Sequence, residues 1–151
     1  DGSDIEAREG MAYGQFITGM GFSNCGLGIV HSMAHQLGGF YDLPHGVCNA
    51  ILLPYVMEYN APVTGDKYRD IAEAMGVDTE GMDSEEARAA CIDAVKKLSV
   101  AVGIPEDFTT LGVKKEDVDQ LADFAMVDAC TPGNPRDPEK ADMVELYQKV
   151  F

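Results

Sequence analysis

Apolar residues recur at helical spacing along almost the whole chain, and no stretch keeps the alternation of apolar and polar residues that marks a half-buried β-strand. Glycine and proline residues interrupt the helical pattern at short intervals. With 151 residues, the chain is long enough to bury a core as one domain. Several short helices joined by tight links predict an all-α fold, a multi-helix bundle.

The apolar pattern also predicts where the helices lie. It gives helices over residues 4–18, 25–37, 45–59, 64–75, 83–102 and 115–128, and a last helix that ends at Phe151. Asp83 followed by Glu86 resembles a capping box, and Pro54 is expected to kink or interrupt the third helix because it removes a backbone donor. In the first helix, five apolar residues are expected to face inward: Ile5, Met11, Ala12, Phe16 and Ile17.

Charge and cysteine usage exclude several classes of partner. The net charge of −15, from 11 basic and 26 acidic residues, argues against binding to nucleic acid or to an anionic membrane surface. The first six residues lack the basic and apolar parts of a signal peptide, so a cytoplasmic location is expected. No Cys-x-x-Cys pair is present, and four widely spaced cysteines are expected to be reduced thiols, mostly in the core: Cys25, Cys48, Cys91 and Cys130.

All three histidines of the chain fall within fifteen residues. His31 and His35 are four residues apart, which on a helix places both imidazoles on one face, where they could bind one ion. A metalloprotease of this spacing needs a glutamate directly after the first histidine, and Ser32 stands there instead. Asp42 is the nearest carboxylate for such an ion, although its loop position is equally typical of a turn residue. The alternative is that one or more of these histidines have no ligand role.

The segment around the histidines, GMGFSNCGLGIVHSMAHQLGGFYDLPHGVCNA over residues 19–50, resembles the signature of the iron-containing alcohol dehydrogenases. Leu53-Pro54, Met57-Glu-Tyr-Asn60 and Cys130-Thr-Pro-Gly-Asn-Pro-Arg136 resemble the same family, and its lactaldehyde reductase and 1,3-propanediol dehydrogenase branch most of all. The resemblance implies that residues 1–151 form the carboxy-terminal helical domain of this dehydroquinate synthase-like fold. It also implies that the domain is incomplete on its amino-terminal side and that the nucleotide-binding domain lies outside the chain.

The resemblance further implies roles for individual residues. The family holds its metal with one aspartate and three histidines, and matching the motifs assigns two of these ligands to His31 and His45. His35 then faces the nicotinamide and the reacting carbon, where it relays a proton or positions the substrate. Phe22 and Cys130 match residues that line the pocket around the metal and the nicotinamide, the alternative for both being simple core packing.

The implied activity is metal-dependent, NAD(P)-linked interconversion of primary alcohols and aldehydes. The implied cofactors are Fe(II), with Zn(II) as the alternative, and NAD(H) or NADP(H). The expected partners are a small alcohol or aldehyde, other copies of the protein, and a nucleotide-binding half from the same protein or from a separate chain; the chain alone is expected to be inactive. Two alternatives remain open: a non-catalytic helical module for metal binding or assembly, and a truncated fragment without activity of its own.

Overall fold

The computed structural model describes residues 1–151 and contains seven α-helices and no β-strand, which confirms the all-α prediction. The helices are α1 (Ile5–Cys25), α2 (Ile29–Tyr41), α3 (His45–Asn60), α4 (Lys67–Ala74), α5 (Ser84–Ala101), α6 (Val118–Met126) and α7 (Lys140–Gln148). Short 3-10 turns occupy Ala61–Val63, Thr109–Leu111, Lys115–Asp117 and Thr131–Gly133. None of the helices combines the length and the apolar character that crossing a membrane requires.

The main core lies between α2, α3, α6 and α7. It contains 18 buried apolar residues, and its largest members, including Met33, Leu37, Leu121 and Tyr147, are fully buried. Each buried aliphatic side chain of this size contributes about 1.5–3 kcal/mol relative to exposure. A smaller cluster joins α3 to α4 and α5 through Met57, Tyr68, Ala72, Cys91 and Ile92. The site-bearing helices α2 and α3 therefore belong to the best-packed part of the molecule.

The predicted start of α5 is confirmed in detail. The Asp83 carboxylate accepts hydrogen bonds from the backbone N–H groups of Glu85 and Glu86 at 2.9 and 2.8 Å. The Glu86 carboxylate in turn accepts from the Asp83 N–H at 2.9 Å, which completes the capping box. These bonds satisfy backbone donors that have no partner within the helix.

The prediction for the first helix is wrong in two respects. α1 continues through the glycine-rich segment to Cys25, and it buries no side chain. The residues expected to face inward are exposed, with Met11, Phe16 and Ile17 between 62 and 72% accessible. Helical spacing indicates that a helix forms, but it does not say what covers the helix, and the other helices of the chain pack together without α1.

Three further features differ from the predictions. α2 begins at Ile29 because Gly26, at φ +82°, ends α1, and it continues to Tyr41. Pro54 lies inside α3, which runs on to Asn60, so the prediction that Pro54 would interrupt the helix is wrong. The cysteines are free thiols as expected, but only Cys48 and Cys91 are buried in the core.

Candidate functional site

The amino-terminal end of α2 is anchored by a buried amide pair. The Asn60 and Asn134 side chains exchange two hydrogen bonds at 3.1 and 2.9 Å, and Asn134 Oδ1 also accepts from the Ile29 N–H at 3.4 Å. A Cβ atom on Gly133 would lie 2.0 Å from the Leu27 carbonyl oxygen, so the loop after α6 passes directly against the turn before α2. The asparagine pair and the close approach of Gly133 to Leu27 together fix the position at which α2 begins.

The sequence of α2 then determines where its histidines point. Ile29, Met33 and Leu37 repeat every four residues and are fully buried in the core. His31 and His35 lie on the opposite side of the helix, where His31 is half-buried and His35 is exposed. The two imidazoles therefore share the open face of α2, as the spacing predicts.

The structure brings all three histidines together. α3 begins at His45. The centroid of the His45 imidazole lies 5.3 Å from that of His31 and 5.4 Å from that of His35. The centroids of the His31 and His35 rings are 6.0 Å apart. Phe22, at the end of α1, lies 6.4 Å from the His31 ring. Asp42 is not part of this cluster of contacts; it adopts the left-handed conformation at the end of α2, with φ 54°, as a turn residue does.

The loop that follows α6 completes the site. His35 Nδ1 lies 3.0 Å from Asp128 Oδ2, and the Gln36 amide donates to the same oxygen at 3.3 Å. The other carboxylate oxygen of Asp128 accepts from the Cys130 N–H at 2.9 Å. Ligand atoms of His35, Asp128 and Cys130 all lie within 4.8 Å of one another, so Cys130 borders the histidine cluster.

A buried hydroxyl pair holds this loop against α2. Thr131 Oγ1 lies 2.7 Å from Ser32 Oγ and donates to the Ala125 carbonyl at 2.6 Å. Ser32, which occupies the position where a metalloprotease would carry its glutamate, is fully buried. Its function in the structure is to fasten the loop that carries Asp128 and Cys130.

The electrostatics of the site follow from burial and from these contacts. Burial lowers the pKa of His31, and the neighbouring imidazoles of His45 and His35 lower it further. Burial alone would raise the pKa of Asp128, but the hydrogen bonds from the Cys130 N–H and from His35 hold it below its usual range. Burial and the neighbouring Asp128 carboxylate raise the pKa of the Cys130 thiol, which keeps it neutral.

The residues of the site fit a divalent transition metal in their donor chemistry. His31 and His45 are imidazoles that reach one place from two helices, and the lowered pKa of His31 favours the neutral form that can donate its lone pair to an ion. The Asn49 amide lies 2.9 Å from His45 Nε2, while Asn49 Oδ1 is buried with no hydrogen-bond partner. In this arrangement the Asn49 NH₂ donates to Nε2 of His45, which leaves the amide oxygen of Asn49 as the unpartnered acceptor beside the site.

Three contributors were missed by sequence reasoning: Gln36, Asn49 and Asp128. Gln36 directly follows His35, and Asn49 lies one helical turn after His45, so their proximity was open to inference. Asp128 lies 93 residues from His35 along the chain, and only the fold brings the two together. Its one signal in the sequence was its position two residues before the Cys130 motif.

The whole chain is similar in sequence to proteins of one known family. The model of the Fe-containing alcohol dehydrogenase family, C-terminal part, matches residues 1–151. Lactaldehyde reductase of Escherichia coli K12 is 60% identical over 148 residues, which cover 98% of this chain and 39% of that protein. The NAD-dependent methanol dehydrogenase of Bacillus methanolicus is 40% identical over 151 residues, which cover 100% of this chain and 40% of that protein.

Solved structures agree with the sequence matches. The crystal structure of a 1,3-propanediol oxidoreductase superimposes with a TM-score of 0.95 at 43% identity, covering 99% of this chain and 39% of that one. The chain thus spans about two fifths of the length of these relatives.

Proposed function

The chain belongs to the Fe-containing alcohol dehydrogenase family, and from this membership we propose that residues 1–151 are the carboxy-terminal, metal-contributing domain of an NAD(P)-linked alcohol dehydrogenase. The proposed reaction interconverts a small primary alcohol and its aldehyde by hydride transfer. The observation that carries the proposal is the convergence of three imidazoles from α2 and α3 on one open face. The nucleotide-binding part and the remaining metal ligands would come from protein outside these residues.

In this proposal His31 and His45 bind the metal. Imidazole ligands suit Fe(II), the ion that the family's name implies, and they also suit Zn(II). When bound, the ion supplies Lewis-acid polarisation of the alcohol or carbonyl oxygen. The contribution of this chain is to hold two imidazoles in place on helices that are fixed by the core.

The neighbouring residues face the dinucleotide and the substrate. We assign His35 to the reacting carbon, where its imidazole moves a proton or orients the substrate, while Phe22 and Cys130 line the nicotinamide pocket. Phe22 is 44% exposed, and Cys130 is half-buried beside His35, so both have surface to offer a ligand. The B. methanolicus relative is described as NAD-dependent, which supports NAD(H), with NADP(H) as the alternative.

Metal content tests the ligand assignment. The complete enzyme that contains this chain and its His31→Ala, His45→Ala and His35→Ala variants would be loaded with Fe(II) without oxygen, or with Zn(II), and the retained metal measured after removal of the excess. We expect His31→Ala and His45→Ala to lose the metal and His35→Ala to keep it. Circular dichroism of each variant shows that the helices remain.

The same series distinguishes the alternatives. If His31 and His35 were the ligands, as their spacing alone would allow, His35→Ala would lose the metal and His45→Ala would keep it. If the chain were a non-catalytic assembly module, none of the four proteins would retain metal and all would unfold at the same temperature with and without it.

A further inference from the structure

The Asp128 carboxylate makes three polar contacts that leave it little freedom. Its Oδ1 accepts from the Cys130 N–H at 2.9 Å, and its Oδ2 accepts from Gln36 Nε2 at 3.3 Å and faces His35 Nδ1 at 3.0 Å. Gln36 is itself fixed, because its amide also donates to the Ser32 carbonyl one helical turn earlier at 3.0 Å. The Asp128 side chain is only 15% exposed, whereas that of His35 is 39% exposed.

A carboxylate placed in this way selects one form of the neighbouring imidazole. An ionised carboxylate only accepts hydrogen bonds, so the His35 nitrogen that faces it must carry a proton. A neutral imidazole has a single N–H, and a proton on Nδ1 therefore leaves Nε2 as an unprotonated acceptor.

We propose that Asp128 is a positioning residue, which fixes the ring of His35 and holds it as the tautomer protonated on Nδ1, so that Nε2 is free to accept a proton. The choice of tautomer follows from contacts within this chain. Its importance for catalysis rests on the proposed function, in which His35 faces the reacting carbon.

A second metal site at His35, Asp128 and Cys130 would be the rival interpretation of the same cluster. It requires a Cys130 thiolate and an unprotonated His35 Nδ1. The thiol is held neutral by burial and by the adjacent carboxylate, and Nδ1 already has a partner at hydrogen-bond distance. The contacts therefore favour a hydrogen-bonded network over an ion at this place.

The Asp128→Asn variant should invert the tautomer. The Cys130 N–H is a backbone donor that cannot turn away, so the oxygen of the new amide takes the Oδ1 position. The Gln36 amide loses its longer bond to Oδ2 but keeps its bond to the Ser32 carbonyl, and it turns its other N–H away from the new NH₂. The amide NH₂ then faces His35 and becomes a donor, which requires His35 Nδ1 to accept and moves the imidazole proton to Nε2. The substitution is nearly isosteric, so the packing of the loop is kept.

Nitrogen-15 NMR of the chain reads this change directly, because couplings between ring protons and ring nitrogens show which nitrogen is protonated. The experiment uses the metal-free chain at a pH at which the imidazoles are neutral, with His35 signals assigned by their loss in His35→Ala. Expected is the Nδ1–H form in the unmodified chain and the Nε2–H form in Asp128→Asn. The matched control is Asp117→Asn, which makes the same change at a carboxylate that accepts from Tyr41 and should leave His35 unchanged.

Two results would overturn the proposal: an Nε2–H imidazole at His35 in the unmodified chain, or an Nδ1–H imidazole that persists in Asp128→Asn. A third result would favour the metal site instead of the proposal. In that case added zinc would abolish the His35 signals of the unmodified chain but would not affect them in Cys130→Ser or in Asp128→Asn.

Steady-state kinetics of the complete enzyme then test the consequence. We expect Asp128→Asn to lower kcat by about 10- to 100-fold, the size of effect that the orienting partners of metal-bound histidines have, with KM for the alcohol nearly unchanged. If Asp128→Asn inverted the tautomer but left kcat unchanged, His35 would have no role in the reaction, which would contradict the proposed function. The conclusion that Asp128 sets the tautomer of His35 would still hold.

Discussion

Gly133 is the residue at which the loop after α6 comes closest to the turn before α2. Because a Cβ there would meet the Leu27 carbonyl oxygen at 2.0 Å, Gly133→Ala must displace backbone on one side or the other. We expect the variant to lose roughly 1–3 kcal/mol of unfolding free energy, the usual range for overpacking. Urea denaturation measures the change.

The control for this prediction is Gly39→Ala. Gly39 lies inside α2, and a Cβ on it has no heavy atom within 4 Å. Alanine there should raise the free energy of unfolding by roughly 0.5–1 kcal/mol, because it restricts the unfolded chain and favours the helix. Equal destabilisation of both variants would show that the close approach at Gly133 has no energetic weight.

At the residue scale, the sequence predicted the histidine cluster but not its supports. His31 and His35 lie four residues apart on one helix, and His45 begins the next, so local spacing was sufficient to place them together. The carboxylate that contacts His35 comes from a loop 93 residues away, and such pairing depends on how α2 packs against α6. Helical periodicity does not show which residues so far apart in the sequence come into contact.

At the scale of helices, Tyr68 joins α4 to α3. Its hydroxyl donates to the Met57 carbonyl at 3.0 Å, and burial raises its pKa to about 12. A tyrosine whose folded-state pKa lies above the ordinary value of about 10 contributes stability that is complete below that value and is lost as the pH rises toward the folded-state pKa. The contact between the two helices should therefore weaken between about pH 10 and 12.

Tyr68→Phe tests this expectation. At neutral pH we expect it to lose about 1 kcal/mol of unfolding free energy, since the buried hydrogen bond from the hydroxyl to the Met57 carbonyl is lost while that carbonyl keeps the Ala61 N–H. Above about pH 10 the variant should lose less stability with pH than the unmodified chain does. Tyr13→Phe, at an exposed tyrosine on α1, is the control, and denaturant titrations at a series of pH values provide the measurement; parallel curves for all three proteins would contradict the prediction.

The boundaries of the helices show what a single sequence can and cannot supply. The start of α5 was predictable because Asp83 and Glu86 form a capping box from residues three apart. The end of α1 was not, since Gly19 and Gly21, which suggested a break, are accommodated in the helix. Glycine lowers helix propensity by about 1 kcal/mol without forbidding the helix, so it is weak evidence for a boundary.

At the scale of the whole molecule, α1 stands apart from the other six helices. It buries no side chain, and four glycines lie within its 21 residues: Gly10, Gly14, Gly19 and Gly21. A helix that buries no side chain depends mainly on propensity, which glycine lowers. We expect its amides to exchange with deuterium far faster than those of α2, even though α1 is the longer helix.

Hydrogen exchange read by mass spectrometry checks this expectation, with α2 as the internal reference. If α1 were protected as strongly as α2, then something would cover its apolar residues in solution, and a concentration series would show whether that cover is a second copy of the chain. A concentration-independent, strongly protected α1 would contradict the expectation outright.

The placement of His31 and His45 on two different helices has a consequence for folding. An ion bound by both imidazoles joins α2 to α3 as a cross-link does, and the unfolded chain offers no such preformed pair. By thermodynamic linkage, an ion that binds only the folded chain adds about 2.7 kcal/mol of stability at a free concentration one hundred times its dissociation constant. For the proposed site, the rise in melting temperature with added ion would therefore report metal affinity without substrate, dinucleotide or turnover.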